Sequence, residues 1–191
     1  MVIVLIVLLA LVVILALAGV SIYNGLINWR NQVKNAWAQI DVQLKRRHDL
    51  IPNLIETVKG YIQHERGTLE AVTNARTMSI KAADKGVAEK AKVEGELSQA
   101  LGKLFAVAEN YPNLKANENF MALQGELAGT ENKISFSRQF YNDVVLKYNN
   151  MIQMFPSNII ASMCNFKLSE FFETTATGER EVPMVSFAKL A

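Results

Sequence analysis

The chain is 191 residues long, half of them apolar by type, and carries 20 Lys and Arg against 18 Asp and Glu. So even a balance excludes the basic patch that holds nucleic acid, and the length leaves room for one core of ordinary size. A single cysteine, Cys164, excludes an internal disulfide framework and a cysteine-rich metal site.

Residues 2–20 contain no charge, no proline and no amide side chain, and fifteen of them are Leu, Ile or Val. At roughly −0.3 to −0.6 kcal/mol each, these contribute about −5 to −9 kcal/mol toward insertion, enough to hold a helix in a bilayer. The sequence therefore predicts a transmembrane anchor over 1–22, with the bilayer as its first partner. A cleaved signal peptide is the competing fate, since Ala16, Leu17 and Ala18 form an A-x-A pattern. That reading lacks a basic stretch ahead of the apolar run, and the run is too long for it. Leu17, Ala18 and Gly19 resemble a lipobox, but Val20 stands where the acylated cysteine belongs. The first charges after the span are Arg30 and Lys34, then Lys45, Arg46 and Arg47. The positive-inside rule therefore predicts an outer N-terminus and a cytoplasmic bundle at the cell membrane.

Over 23–156, three segments place apolar residues at alternating steps of three and four, the period of helices packed along a common seam. The first runs Val33, Trp37, Ile40, Leu44, Arg47, Ile51, Leu54, Val58 and Tyr61, then shifts to Ile62, Leu69 and Val72. The second is Val93, Leu97, Ala100, Leu104, Val107 and Tyr111; the third runs from Phe120 through Leu127, Ile134, Tyr141 and Tyr148 to Phe155. Asp84, Lys85 and Gly86 separate the first two, and Pro112 with Asn113 the last two. Asn117 before Glu118 reads as an N-cap with an acidic first turn, and Pro156 ends the last long helix. The expectation is an all-α fold: an anchor helix continuing into an antiparallel up-and-down bundle of three or four long helices. Residues 157–191 form a short helix and an irregular tail, with Phe171, Phe172, Pro183 and Phe187, expected to pack along the bundle.

Three blocks of sequence resemble one family. WAQIDVQLKRRHDLIPNLIETVKGYIQHE at 37–65, YPNLKANENFMALQGELAGTENKISFSRQFYNDVVLKYN at 111–149 and FPSNIIA at 155–161 are similar to the signature of LemA family membrane proteins. Lys133 and Ser135 stand where that family usually has Arg and Ala, and the match is looser after Ser162. The resemblance implies an N-terminal membrane helix with an extracytoplasmic N-terminus and an all-helical domain. It implies no established activity. Lipoprotein relatives leave the opposite orientation open, and neighbouring genes for membrane metalloproteases hint at a partner.

Few residues invite chemistry. His64 and Glu65 begin like the zinc motif H-E-x-x-H, but Thr68 holds the fifth position, so no metal site is expected. His48 is the other histidine, with no third ligand nearby. Cys164 in an apolar stretch reads as a small buried residue. No catalytic residue or cofactor is expected. Lys45, Arg46 and Arg47 form the densest basic run, about 35 Å beyond the bilayer on an upright helix, several Debye lengths away. They read as a solvated face with Arg47 turned partly toward the seam; the alternatives are a contact for an acidic partner, or Arg47 pairing with a carboxylate such as Glu126 or Glu131.

Asn24, Asn28, Asn31 and Asn35 share one helix face, as hydrated side chains or as amides that set register between copies. If residues 29–83 form one helix of roughly 80 Å, kinked but unbroken at Pro52, the second, of about 35 Å, cannot cover it. Reversal at Pro52 is the alternative. The stripe Val33, Trp37, Ile40 and Leu44 is then left for neighbouring copies to bury. The expected function is a self-associating membrane scaffold; the alternative is an adaptor of another membrane protein, such as a metalloprotease.

Overall fold

A computed structural model describes residues 1–62 and 65–173. Among these residues there are six helices: α1 (Val2–Lys59), α2 (Arg66–Lys81), α3 (Val87–Ala108), α4 (Pro112–Lys115), α5 (Glu118–Gln153) and α6 (Ser157–Met163). No strand occurs among the described residues. The all-α expectation holds, with four long helices, and the apolar N-terminal stretch of α1 stands clear of the other described residues until Gly19, which Ile160 of α6 approaches.

The segment expected as one helix over 29–83 is two. α1 continues through Pro52 and ends at Lys59, and α2, from Arg66, runs back along it. Pro52 does not reverse the chain because the hydrogen bond it forfeits is replaced. A proline N–H is missing, so the carbonyl of His48 one turn back loses its donor; Arg76 Nε of α2 donates to that carbonyl at 2.8 Å. The turn lies instead at Gly60 and Tyr61, where the apolar register shifts.

Because the first reversal comes at Gly60, the later helices change direction relative to the sequence expectation. α2 returns toward the N-terminal end of α1, α3 runs away from it, and α5 comes back along α1. Three meetings set the antiparallel register: Arg47 pairs with Glu131, Trp37 stacks on Tyr141, and Met151 lies against Gly25. Asn117 caps α5 as expected, its side chain accepting from the Phe120 N–H at 3.0 Å.

Two apolar clusters result. The distal one joins Ile51, Leu54 and Val58 of α1 with Leu69 and Val72 of α2, Leu97 and Leu104 of α3, and Phe120 and Leu127 of α5. The proximal one joins Val33, Ala36, Ile40 and Leu44 with Ile134, Tyr141, Val144 and Tyr148, and is closed by Phe172 from the tail. The α1 stripe is thus not bare. α5 and the tail cover it, with Ile40 fully buried and Trp37 half-buried.

The tail packs along the bundle as expected, in the groove between α1 and α5. Asn149 and Asn142 of α5 act as paired clamps. Each amide donates to a tail carbonyl, of Ser169 and Phe172, and accepts from the same residue's N–H, at 2.8 to 3.2 Å. An extended segment has no internal backbone bonds, so such side-chain partners are what let it be held. Pro183 and Phe187 lie outside the described residues.

Candidate functional site

One position in the α1 stripe is not apolar. Arg47 follows Leu44 at the three-residue step and so points into the seam, where it is 1% exposed. A guanidinium left unpaired there would cost several kcal/mol. It is paired on three sides: with the carboxylate and carbonyl of Glu94 on α3, with Ser98 Oγ at 2.8 Å, and with Glu131 Oε2 on α5 at 2.5 Å. From α2, Ser79 donates to the Glu94 carboxylate. His48 Nε2 lies 2.7 Å from Ser79 Oγ and 3.2 Å from Glu94 Oε1. Each long helix therefore contributes to one buried polar cluster at the level where the bundle is four helices thick.

Burial alone would raise the Glu94 carboxyl. The hydrogen bond from His48, the charge of Arg47 and the hydrogen bond from Ser79 more than offset it, holding the group at about 2. Glu94 is therefore an acceptor throughout the physiological range. Arg47 Nε and Gln43 Oε1 are the buried polar side-chain atoms without a partner among the described residues, a donor and an acceptor one helical turn apart.

Serine, histidine and glutamate together suggest acyl-transfer chemistry, but the geometry does not support it. In a working triad the acid holds one imidazole nitrogen while the other takes the serine proton. Here Ser79 and Glu94 both lie on Nε2, and the Ser79 hydroxyl already donates to Glu94. Ser79 is also 1% exposed, beyond the reach of a substrate. What the cluster can do is fix the register of four helices, since a slip of any one leaves a buried charge unpaired.

A second hub surrounds Trp37. Its ring centroid is 5.3 Å from that of Tyr141 and 6.0 Å from that of Phe172, and Lys90 Nζ stands 4.9 Å over it. Lys90 is buried and bonded to Asp41. Burial, with the Glu170 charge second, pushes the Tyr141 phenol up to about 12, so it stays a donor, to the Glu170 carbonyl at 2.9 Å.

The candidates named from sequence separate into groups. Asn24, Asn28, Asn31 and Asn35 are all exposed, whereas Val33, Ile40 and Leu44 are buried inside the chain and are not free for another copy. Lys45 is exposed; Arg46 is exposed and pairs with Glu126 at 2.5 Å; Arg47 is not on the solvated face but buried, and pairs with Glu131, the alternative that the sequence left open. Cys164 is exposed, against the expectation of burial, because it follows the last turn of α6 on its open side. His64 lies outside the described residues. Sequence reasoning missed Glu94, Ser79, Arg76 and Lys90. The available signal was Glu94 beside Val93 and one turn before Leu97, an ionisable group on an otherwise apolar face. A shallow, open groove between α2 and α3, about 400 Å³, has a floor of small residues, Gly67, Ala71, Ala75 and Ala100, and a rim that includes Glu96, Gln99 and Lys103.

Comparison with known proteins agrees with this architecture. The model of the LemA family matches residues 36–187, which include every residue of the buried cluster. Magnetosome protein MamQ 2 of Paramagnetospirillum magneticum is 22% identical over 184 residues, covering 84% of this chain and 68% of that protein. MamQ of Magnetospirillum gryphiswaldense has the same identity and coverage. Protein LemA of Metamycoplasma hominis is 25% identical over 138 residues, 72% of this chain and 63% of that protein. With the family model matched over most of its length and an apolar helix leading into the matched bundle, the chain belongs to the LemA family.

Proposed function

We propose that this protein is a non-catalytic, membrane-anchored scaffold that self-associates through the outer face of its bundle, with the bundle on the cytoplasmic side. The observation that carries the reading is the unbroken run of α1, from the apolar segment through Pro52 to the far end of the domain. A helix of 58 residues is about 87 Å long, so whatever binds the bundle is held at a set distance and angle from the membrane. Membrane-associated relatives of LemA and MamQ type support the anchored part of this reading.

The surface for self-association differs from the stripe suggested by sequence. On α5, Phe136 and Phe140 stand one turn apart, 73% and 48% exposed, on the side away from α1. A large aromatic costs on the order of 1.5 to 3 kcal/mol to leave in water rather than bury, so this pair favours a covered state. Native-membrane isolation in mild detergent tests the proposal. A large particle of this chain alone, shrinking in the Phe136→Ser, Phe140→Ser variant with helix content kept, is the expected result. A monomeric wild type refutes it, and a stoichiometric foreign subunit replaces it with the adaptor reading.

A further inference from the structure

The α5–α6 turn and α6 meet α1 at a height that the rest of the bundle does not reach. Along α1, residues 2–22 span about 30 Å, the thickness of a hydrocarbon core. Gly19 is inside that length, one turn short of its end. A Cβ on Gly19 would come 3.8 Å from Ile160 Cδ1 of α6, so α6 lies beside the last membrane turn of α1. Ser157, Ile160 and Ala161 form the face turned to α1. The opposite face carries Phe155, Ile159 and Met163 at four-residue spacing, 80%, 51% and 77% exposed.

Charge follows the same level. Between Lys147 and Lys167 the sequence has no ionisable acid or base except the Tyr148 phenol and the Cys164 thiol, and α1 carries no charge before Arg30 beyond its terminal amine. At the upper edge of this band, basic groups converge with aromatics. Arg30 stands 5.4 Å over Phe166, Lys147 stands 5.6 Å over Trp29, and Tyr23 meets Phe166 edge to face at 5.9 Å. A charge-free layer topped by a ring of Trp, Tyr, Lys and Arg is the pattern of a protein surface crossing from hydrocarbon through headgroups.

The backbone is fitted to that environment. Turns are excluded from lipid where their polar groups are unpaired, and several of the polar groups here are paired locally. Ser157 Oγ and the Asn158 N–H both donate to the Met154 carbonyl, the Ile159 N–H to Pro156, and the Cys164 and Phe166 N–H groups to Ile160 and Ala161. Pro156 brings no N–H to satisfy.

We propose that residues 154–164 form a second membrane contact, a short interfacial collar whose Phe155, Ile159 and Met163 enter the leaflet that α1 leaves, beneath a basic ring of Arg30, Lys147 and Lys167. The occupant of this apolar face is lipid, because it adjoins the proposed span and shares its charge-free layer. The inference rests on α1 being a retained membrane anchor. One consequence is that α5 and α1 are both tied to the bilayer, so the bundle cannot swing about a single stalk.

The test uses full-length protein in which Cys164→Ser removes the native thiol, reconstituted in vesicles of mixed zwitterionic and anionic phospholipid. An environment-sensitive fluorophore is placed in turn at Ile159→Cys, Met163→Cys, Leu11→Cys and Lys103→Cys. The expected result is loss of aqueous iodide quenching and gain of quenching by shallow spin-labelled lipid at 159 and 163, quenching by deep spin-labelled lipid at 11, and iodide quenching at 103. If 159 and 163 behave like 103 while 11 stays in lipid, the collar is overturned and the anchor stands. If 11 is also in water, both are overturned. Shielding of 159 and 163 from both quenchers means that protein covers the face, which also overturns the lipid contact.

Discussion

At the scale of single residues, the molecule depends on side chains that answer a local deficit. Pro52 leaves the His48 carbonyl without its helical donor, and Arg76 supplies one from the neighbouring helix. Arg76→Met should destabilise the fold by about 1 to 3 kcal/mol in urea unfolding, and by less in a Pro52→Ala background, where the restored N–H serves the same carbonyl. Equal losses in both backgrounds would show that Arg76 does not act through this bond. Glu94 gives a pH signature. Its folded value, about 2, is below the ordinary 4.5, so its contribution is fully present above about pH 4.5 and is lost as pH falls toward 2. The lost stability is on the order of 3 kcal/mol. Glu94→Gln removes that titration, so the stability gap between wild type and variant should narrow as pH falls through this window; a gap independent of pH would contradict the assignment.

Among the elements, the tail shows how an irregular segment becomes part of a core. Phe172 is 3% exposed, packed on Trp37 with Arg138 4.8 Å over its ring. Its backbone is held by Asn142, so its loss removes packing and leaves the hydrogen bonds in place. Phe172→Ala should cost roughly 3 to 5 kcal/mol and shift tryptophan emission to the red as Trp37 meets water. Stability within about 0.5 kcal/mol of wild type would mean that the tail is not docked in solution. The proximal half of the bundle needs this docking most, because in its apolar cluster α1 and α5 are joined, among the described helices, only by the first turns of α3, through Val87 and Ala91.

For the molecule as a whole, the long α1 sets what can be tested from outside. The positive-inside rule, applied to Arg30, Lys34 and the Lys45 to Arg47 run, predicts a cytoplasmic bundle. A reporter fused after Ala191 that is active only in the cytoplasm should be active, and activity of a periplasm-dependent reporter there would reverse the topology and with it the side on which partners are sought. Self-association, if it occurs, uses faces left over once one chain has satisfied itself. The Asn24 to Asn35 face and the Phe136 and Phe140 pair are such faces; the Val33 to Leu44 stripe is not.

The apolar N-terminal helix, the helical class, the Asn117 cap and the family were legible in the residues themselves, because each is a local property: an unbroken apolar run, a period, a capping side chain, a long motif. Arg47 was legible only in part: its place on the apolar stripe was plain, but its full burial among Glu94, Ser98 and Glu131 was not. The reversal at Gly60 was not, since two antiparallel helices facing one core both keep the three and four spacing, and the sequence there lacks a strong turn signal. That one turn decided the direction of α3 and α5, and so what covers Trp37 and Ile40. Periodicity tells which face of a helix must be buried; only the tertiary structure decides what buries it, because the covering residues come from segments a hundred positions away.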